Sequence, residues 1–119
     1  MAATKNLRTI IAAATSNTAG STTTGTAIDL TTKYGGLLTI KITNGGTGPT
    51  VAASAKVYTS GDNSNFKLFA QVTGDVTSSS VNEWSMEIPL GVMYVRVDVT
   101  GNTAQSVTCE AFLQELTTY

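Results

Sequence analysis

The sequence predicts an all-β, antiparallel β-sandwich of seven to eight strands with an extended N-terminal arm. Thr, a β-branched residue that favours strands, is the most frequent amino acid in the chain. Short stretches of alternating apolar and polar residues recur about every ten residues, and clusters of Gly, Asn and Ser separate them. The connections are too short for a crossover helix, so neighbouring strands are expected to pair antiparallel. A jelly-roll strand order is one arrangement that fits this pattern.

Residues 1–24 are predicted to form a flexible N-terminal arm, and residues 25–119 the sandwich domain. Residues 7–14 suit either a short strand or an extended arm. The Thr- and Ser-rich stretch 15–25 is low in complexity, which is typical of a flexible link.

Seven further stretches are predicted as strands. By residue number they are 27–30, 37–43, 51–59, 66–72, 82–88, 93–99 and 105–116. In the fourth of these, alternation places four apolar side chains on one face: Phe66, Leu68, Ala70 and Val72.

The strand predicted at 93–99 carries the candidate contact residues of the body. Its alternation is regular and turns Tyr94, Arg96 and Asp98 outward. An aromatic, a cation and an anion on one exposed face favour a contact with another subunit or a partner protein.

Composition excludes several classes of function. The formal net charge is −1 and charged residues make up 13% of the chain, so the clustered Lys and Arg of nucleic-acid binding are missing. The chain has no His, which removes a His general base and a His metal ligand. No run of 18 apolar residues is present to span a membrane. We therefore expect no nucleic acid, no membrane, no metal and no cofactor.

The sequence offers no catalytic constellation. Cys109 lies in phase with apolar residues of the last strand and is expected to be a small buried side chain without an activating neighbour. Glu83 and Glu87 share a strand face roughly 13 Å apart, which exceeds the carboxylate spacing of glycosidases. The oxygen-rich stretch 62–65 has one carboxylate and is typical of a hairpin turn rather than a calcium loop. We expect no catalytic residues and no enzymatic activity.

Four segments give the chain a family resemblance. They are 25–30 (GTAIDL), 36–42 (GLLTIKI), 57–66 (VYTSGDNSNF) and 93–100 (MYVRVDVT). In this order they resemble strands of small structural proteins of tailed-bacteriophage virions. The third segment departs from the family pattern, since Gly61 precedes Asp62 in the turn and Phe66 stands where Trp is frequent.

The resemblance implies a virion component without enzymatic activity, and among these a capsid decoration, or cement, protein. Such a protein binds the outer capsid surface, with a homotrimer favoured, and braces the major capsid protein; it is made in the host cytoplasm. Leu7, Ile10 and Ile11 would anchor the arm, which would order on binding. Removal of residues 1–20 is then expected to weaken attachment without unfolding the sandwich.

Two alternatives stay open at this point. The first is another part of a tailed-phage virion: a tail-tube, head–tail joining or baseplate subunit. The second is a glycan-binding β-sandwich module, for which Tyr34 and Tyr58 are the best placed aromatic residues.

Overall fold

The computed structural model describes residues 3–118, which form nine β-strands and no helix. The strands are β1 (Thr4–Asn17), β2 (Thr23–Thr24), β3 (Ile28–Asp29), β4 (Gly36–Asn44), β5 (Ser54–Ser60), β6 (Lys67–Thr73), β7 (Val81–Ile88), β8 (Tyr94–Thr100) and β9 (Val107–Thr118). The first two residues of the predicted arm and the last residue of the predicted domain lie outside the described residues. Among the described residues there is no helix of the length and apolar character needed to cross a membrane.

The strands form two antiparallel sheets that pack as a sandwich. The first sheet has the order β1-β9-β4-β7 and the second has the order β2-β8-β5-β6, with β3 also paired to β8. The chain is thus a doubled ribbon, in which β1 pairs with β9, β2 and β3 with β8, β4 with β7, and β5 with β6. With β2 and β3 counted as one interrupted strand, this is the jelly-roll order. The predicted sandwich is confirmed, with nine strands in place of seven to eight.

The core lies between the sheets and follows the alternation of the sequence. Every second residue of β4 from Leu38 to Ile42 is buried against the second sheet. Every second residue of β8 from Val95 to Val99 is fully buried from the other side. This period of two is what a strand with one face on a core requires.

The N-terminal stretch is part of the sandwich and not a free arm. β1 pairs with β9 along its length, and Ile10 and Ile11 are only 3% and 5% exposed. Both face the core because the pairing shifts register between Thr9 and Ile11, a β-bulge that breaks the alternation. The prediction of a flexible arm over residues 1–24 is therefore wrong for β1, since ladder hydrogen bonds and core burial fix its position.

The polar stretch after β1 is also held in place. Thr23 and Thr24 pair with β8, and the Gly25 amide donates a hydrogen bond to the Val97 carbonyl at 2.9 Å. A Cβ atom at Gly25 would lie 2.3 Å from that carbonyl oxygen, so the approach needs a glycine. The Asn17 side chain, 1% exposed, accepts a hydrogen bond from the Thr23 hydroxyl at 2.7 Å. The Thr- and Ser-rich stretch 15–25 is thus held by hydrogen bonds within the sandwich.

A buried carboxylate ties β1 to β9. Glu115 is 1% exposed and continues the inward face of β9 beyond Leu113. The Arg8 guanidinium donates to Glu115 Oε2 at 3.2 Å, and the Asn6 amide donates to Oε1 at 3.3 Å. A buried charge is tolerated only when it is paired in this way, so β1 supplies both the apolar cover and the counter-charge of this end of the sandwich.

Candidate interaction surfaces

The predicted contact residues lie in three different places. Leu7 projects from the outer face of the first sheet and is 60% exposed. Ile10 and Ile11 lie in the core, so their side chains are not available to a partner in this fold. The other three predicted residues lie on β8, in the second sheet. The structure therefore does not bring the predicted set together as one surface.

The β8 residues form an internal clamp. Arg96 and Asp98 stand two residues apart on one face of the strand, and the guanidinium donates twice to the carboxylate, at 3.0 and 3.2 Å. The same guanidinium carbon lies 4.4 Å from the Phe66 ring centre and 5.2 Å from that of Tyr58. Asp98 is buried, and Tyr94 and Arg96 are half-buried. Because Asp98 and the two aromatic rings already engage the Arg96 guanidinium, this clamp orders the outer face of the second sheet.

The turn before β6 positions the aromatic part of this clamp. The Asp62 carboxylate accepts hydrogen bonds from the backbone amides of Asn65 and Ser64, from the Asn65 side chain and from the Ser60 hydroxyl. The Asn65 amide, followed by the other donors, holds the pKa of Asp62 well below its ordinary value. Since donors occupy both oxygens, the stretch is a turn that delivers Phe66 to Arg96, as the hairpin interpretation predicted.

A register shift explains why Leu68 is not in the core. The β5–β6 pairing shifts between Val57 and Tyr58, so Val57 opposes Ala70 and Tyr58 opposes Leu68. Leu68 therefore projects outward and is 55% exposed. The predicted single face holds for Ala70 and Val72, which pack against the core, and is wrong at Leu68 and at Phe66, whose ring lies against Arg96 on the outer face. Alternation in one strand does not reveal a bulge in its pair.

The outer face of the first sheet carries an apolar groove, which we call the Leu37 groove. It has a volume of about 510 Å³. Its lining residues are Lys5, Tyr34, Gly36, Leu37, Glu87, Ile88, Leu90, Gln114 and Leu116. Leu37 is 42% exposed and Leu90 is 65% exposed, and both are large apolar side chains open to solvent. A concentration of exposed apolar side chains of this kind makes the groove a candidate interaction surface.

Two glycines set the path of the chain at the groove. Gly35 has φ of 70°, and a Cβ atom there would lie 2.1 Å from the Ile88 carbonyl oxygen. A Cβ atom on Gly36 would lie 2.2 Å from the Gln114 carbonyl oxygen. The pair lets the chain enter the sheet between β7 and β9, after which Leu37 points outward because Leu38 begins the inward series.

Register places Leu7 beside this groove. Leu7 pairs with Gln114, Gln114 with Leu37, and Leu37 with Glu87, so the four residues form one row across the first sheet. Leu7 is among the residues predicted from the sequence to make contacts, whereas Leu37 is not. The sequence holds a signal for Leu37, which directly follows Gly36 and is one residue out of phase with the core positions that begin at Leu38. This spacing indicates a large apolar side chain on the outer face.

The charges of this outer face are distributed unevenly. Lys41 on β4 lies 3.8 Å from Glu110 on β9 and is the register partner of Glu83 on β7. Glu87, on the same face of β7, has Leu37 as its neighbour. Lys5 lies at the opposite side of the groove, on β1. The groove therefore has a carboxylate on one side and an ammonium group on the other.

The described residues hold no group of three or more His, Cys, Asp and Glu side chains that would suit a metal ion. Cys109 is 2% exposed, and burial raises the pKa of its thiol to about 11. Its sulfur lies 3.5 Å from the Thr15 carbonyl oxygen, with β1 covering it. A protonated and covered thiol of this kind is a poor nucleophile.

No protein-family profile and no curated protein sequence matches this chain. Among solved structures, a chain of infectious bursal disease virus, strain Gx, matches with a TM-score of 0.64 and 12% identity, over 96% of this chain and 32% of that one. A chain from Bacillus endospore appendages, described as disulfide-linked pili, matches with a TM-score of 0.56 and 12% identity, over 100% of this chain and 93% of that one. The K3 cleaved adhesin domain of Lys-gingipain from Porphyromonas gingivalis matches with a TM-score of 0.55 and 15% identity, over 82% and 65%.

These likenesses are likenesses of fold. The sequence identities are 12% to 15%, and this chain spans about a third of the length of the bursal disease virus chain. The structural neighbours thus include chains of viral particles and of a pilus, which are assemblies of many subunits, alongside an adhesin domain.

Proposed function

We propose that this protein is a non-enzymatic virion structural protein, and specifically a capsid decoration protein that binds the outer surface of the major capsid shell and stabilises it. The observation that carries the proposal is the fold of the described chain, a jelly-roll sandwich that matches a chain of infectious bursal disease virus with a TM-score of 0.64 over 96% of this one. The apolar outer face around Leu37 supports it, because a protein that works in an assembly must offer surface to other subunits.

The residues favour assembly over chemistry. The thiol of Cys109 is protonated, the Asp62 carboxylate is engaged in a turn, and the Asp98 carboxylate is engaged by Arg96 of the same strand. In this proposal the partner is the major capsid protein, the oligomer is a homotrimer, and the protein is made in the host cytoplasm and located on the virion. The resemblance of segments 25–30, 36–42, 57–66 and 93–100 to tailed-phage virion proteins supports the choice of virus class.

The test is binding to pre-formed, expanded capsid shells. Purified protein is mixed with shells that lack it, the bound fraction is measured by co-sedimentation, and shell melting is followed by calorimetry. Saturation at a fixed ratio to the capsid protein, with a higher melting temperature of the shells, is the expected result. Binding to tails and not to shells would refute the decoration role and favour the tail-tube, joining or baseplate alternative.

A pilus-type filament subunit is the second candidate, because the Bacillus appendage chain matches this one over nearly the full length of both. That appendage is described as disulfide-linked, whereas this chain has a single cysteine, which is buried. One cysteine can join at most two chains, so a filament of this protein would be held by non-covalent contacts. Electron microscopy of the purified protein tests the candidate, since filaments would favour it over a decoration role.

A further inference from the structure

The Leu37 groove is open to solvent, and its charges indicate what covers it. We propose that the groove is the self-association site of this chain, and that a second copy packs on it about a two-fold axis. The axis is parallel to the strands and lies above the outer face of the first sheet, over the gap between β9 and β4. The proposal goes beyond a role on a capsid, because it concerns the free protein in solution, where it predicts a two-fold dimer in place of the homotrimer that the resemblance implies on a shell.

The sheet order determines which strands meet in such a pair. A two-fold axis between the two central strands of β1-β9-β4-β7 places β1 of one copy over β7 of the other, and the reverse. The sheets then pack face to face with aligned strands, a common arrangement of β-sheets. The contact is isologous, so each contact occurs twice.

The charges at the groove are self-complementary in this arrangement. Lys5 lies on β1 and Glu87 lies on β7, at opposite sides of the same groove. They are separated by two intervening strands, a span of roughly 14 Å, which prevents a direct pair within one chain. The two-fold axis brings Lys5 of each copy to Glu87 of the other. The pair differs by about two residues in register along the strands, a distance that a lysine side chain covers.

Apolar contacts fill the space between these charges. Leu37 and Gln114 stand on the two strands beside the axis, so Leu37 of each copy meets Gln114 of the other. Leu90, at the β7 side, meets the apolar stem of Lys5 and the region of Leu116. The exposed leucines are thus buried in the pair, while the charged groups of Lys5 and Glu87 lie at its margin, as is usual for protein interfaces.

Charge reversal tests the arrangement directly. Lys5→Glu and Glu87→Lys each place two like-charge contacts in the homodimer, so each variant should self-associate at least about tenfold more weakly than the wild type. An equimolar mixture of the two variants restores opposite charges at both contacts of the mixed pair. We expect sedimentation equilibrium to show wild-type dimers, weakened association in each variant alone, and recovery in the mixture.

Two leucine variants locate the surface. Leu37→Asp, with a charge at the centre of the groove, should give monomers. Leu68→Asp, at a leucine that is 55% exposed against 42% for Leu37 but lies in the second sheet, should associate like the wild type. Circular dichroism confirms folding of each variant, and the charge variants keep the test valid if Leu37→Asp does not fold. A monomeric wild type up to its solubility limit, absence of recovery in the mixture, or equal loss in Leu68→Asp would overturn the proposal. The wild type could also be monomeric and bind shells, while Leu37→Asp does not bind them. In that case the groove binds a capsid protein and not a second copy, and the proposal likewise fails.

Discussion

Replacement of Ile11 by Ala tests whether β1 is a structural strand. Ile11 is 5% exposed and belongs to the core cluster, so its truncation removes three buried carbons and leaves a cavity. Such changes cost about 2–5 kcal/mol, a large part of the roughly 5–15 kcal/mol that a domain of this kind has available. At about 4 °C per kcal/mol for a chain of this size, we expect the midpoint of thermal unfolding to fall by roughly 8–20 °C. Urea unfolding followed by Trp84 fluorescence measures the same loss at constant temperature.

Leu7→Ala is the matched control, since Leu7 lies in the same strand but is 60% exposed. Its effect on unfolding should stay within about 0.5 kcal/mol, as for most surface positions. An arm that orders only on binding would make both variants equally stable as free proteins. Equal unfolding midpoints for Ile11→Ala, Leu7→Ala and the wild type would therefore refute the assignment of β1 to the core. The same reasoning predicts that removal of residues 1–20 unfolds the sandwich.

Three further predictions concern single side chains. Arg8→Ala should lower the free energy of unfolding by about 1–3 kcal/mol, because it leaves the buried Glu115 carboxylate without a cation. Urea titrations measure this loss, and adding Glu115→Gln to the Arg8→Ala variant should recover part of it. Asp62 has a lower pKa in the folded chain than its ordinary 3.8, so its ionised carboxylate stabilises the fold above that pH, and this stabilisation is lost as the pH falls below 3.8. Asp62→Asn should therefore reduce the loss of stability at acid pH in a stability–pH curve. An unchanged acid limb of the curve would contradict the assignment. Cys109 should react with a thiol reagent near pH 8 about two orders of magnitude more slowly when folded than in urea, since its pKa is about 11; equal rates would show that the thiol is not buried.

The strands with regular alternation could be predicted from the sequence. In β8 the valines face the core and Arg96 and Asp98 face outward, and each position agrees with the pattern alone. From the sequence, the jelly-roll order is only one of the possible arrangements, because alternation shows which face a residue occupies and not which strand it pairs with. The pairing of β1 with β9 joins residues about 100 positions apart, and no local signal encodes such a contact.

Bulges are the places where alternation predicts the wrong face. Ile10 and Ile11 are consecutive, so alternation would place one of them outward, and the Ala residues that follow give no period at all. The predicted inward position of Leu68 is wrong for the same reason, a register shift in the second sheet. A stronger signal was present at Glu115, which continues the apolar series of β9 from Val107 through Leu113. A carboxylate in phase with core residues implies a buried counter-charge, and Arg8 provides it.

The two outer faces of the sandwich differ in how they use their charges, and this difference has a functional consequence. On the second sheet Arg96 is held by Asp98 and by two aromatic rings, so a partner would have to compete with contacts that already exist. On the first sheet Lys5 and Glu87 are exposed on either side of an apolar groove. A partner that covers this groove gains contacts without breaking an existing ion pair such as that of Lys41 with Glu110. Because binding is weakened by the cost of separating groups that are already paired, assembly contacts of this protein should concentrate on the first sheet.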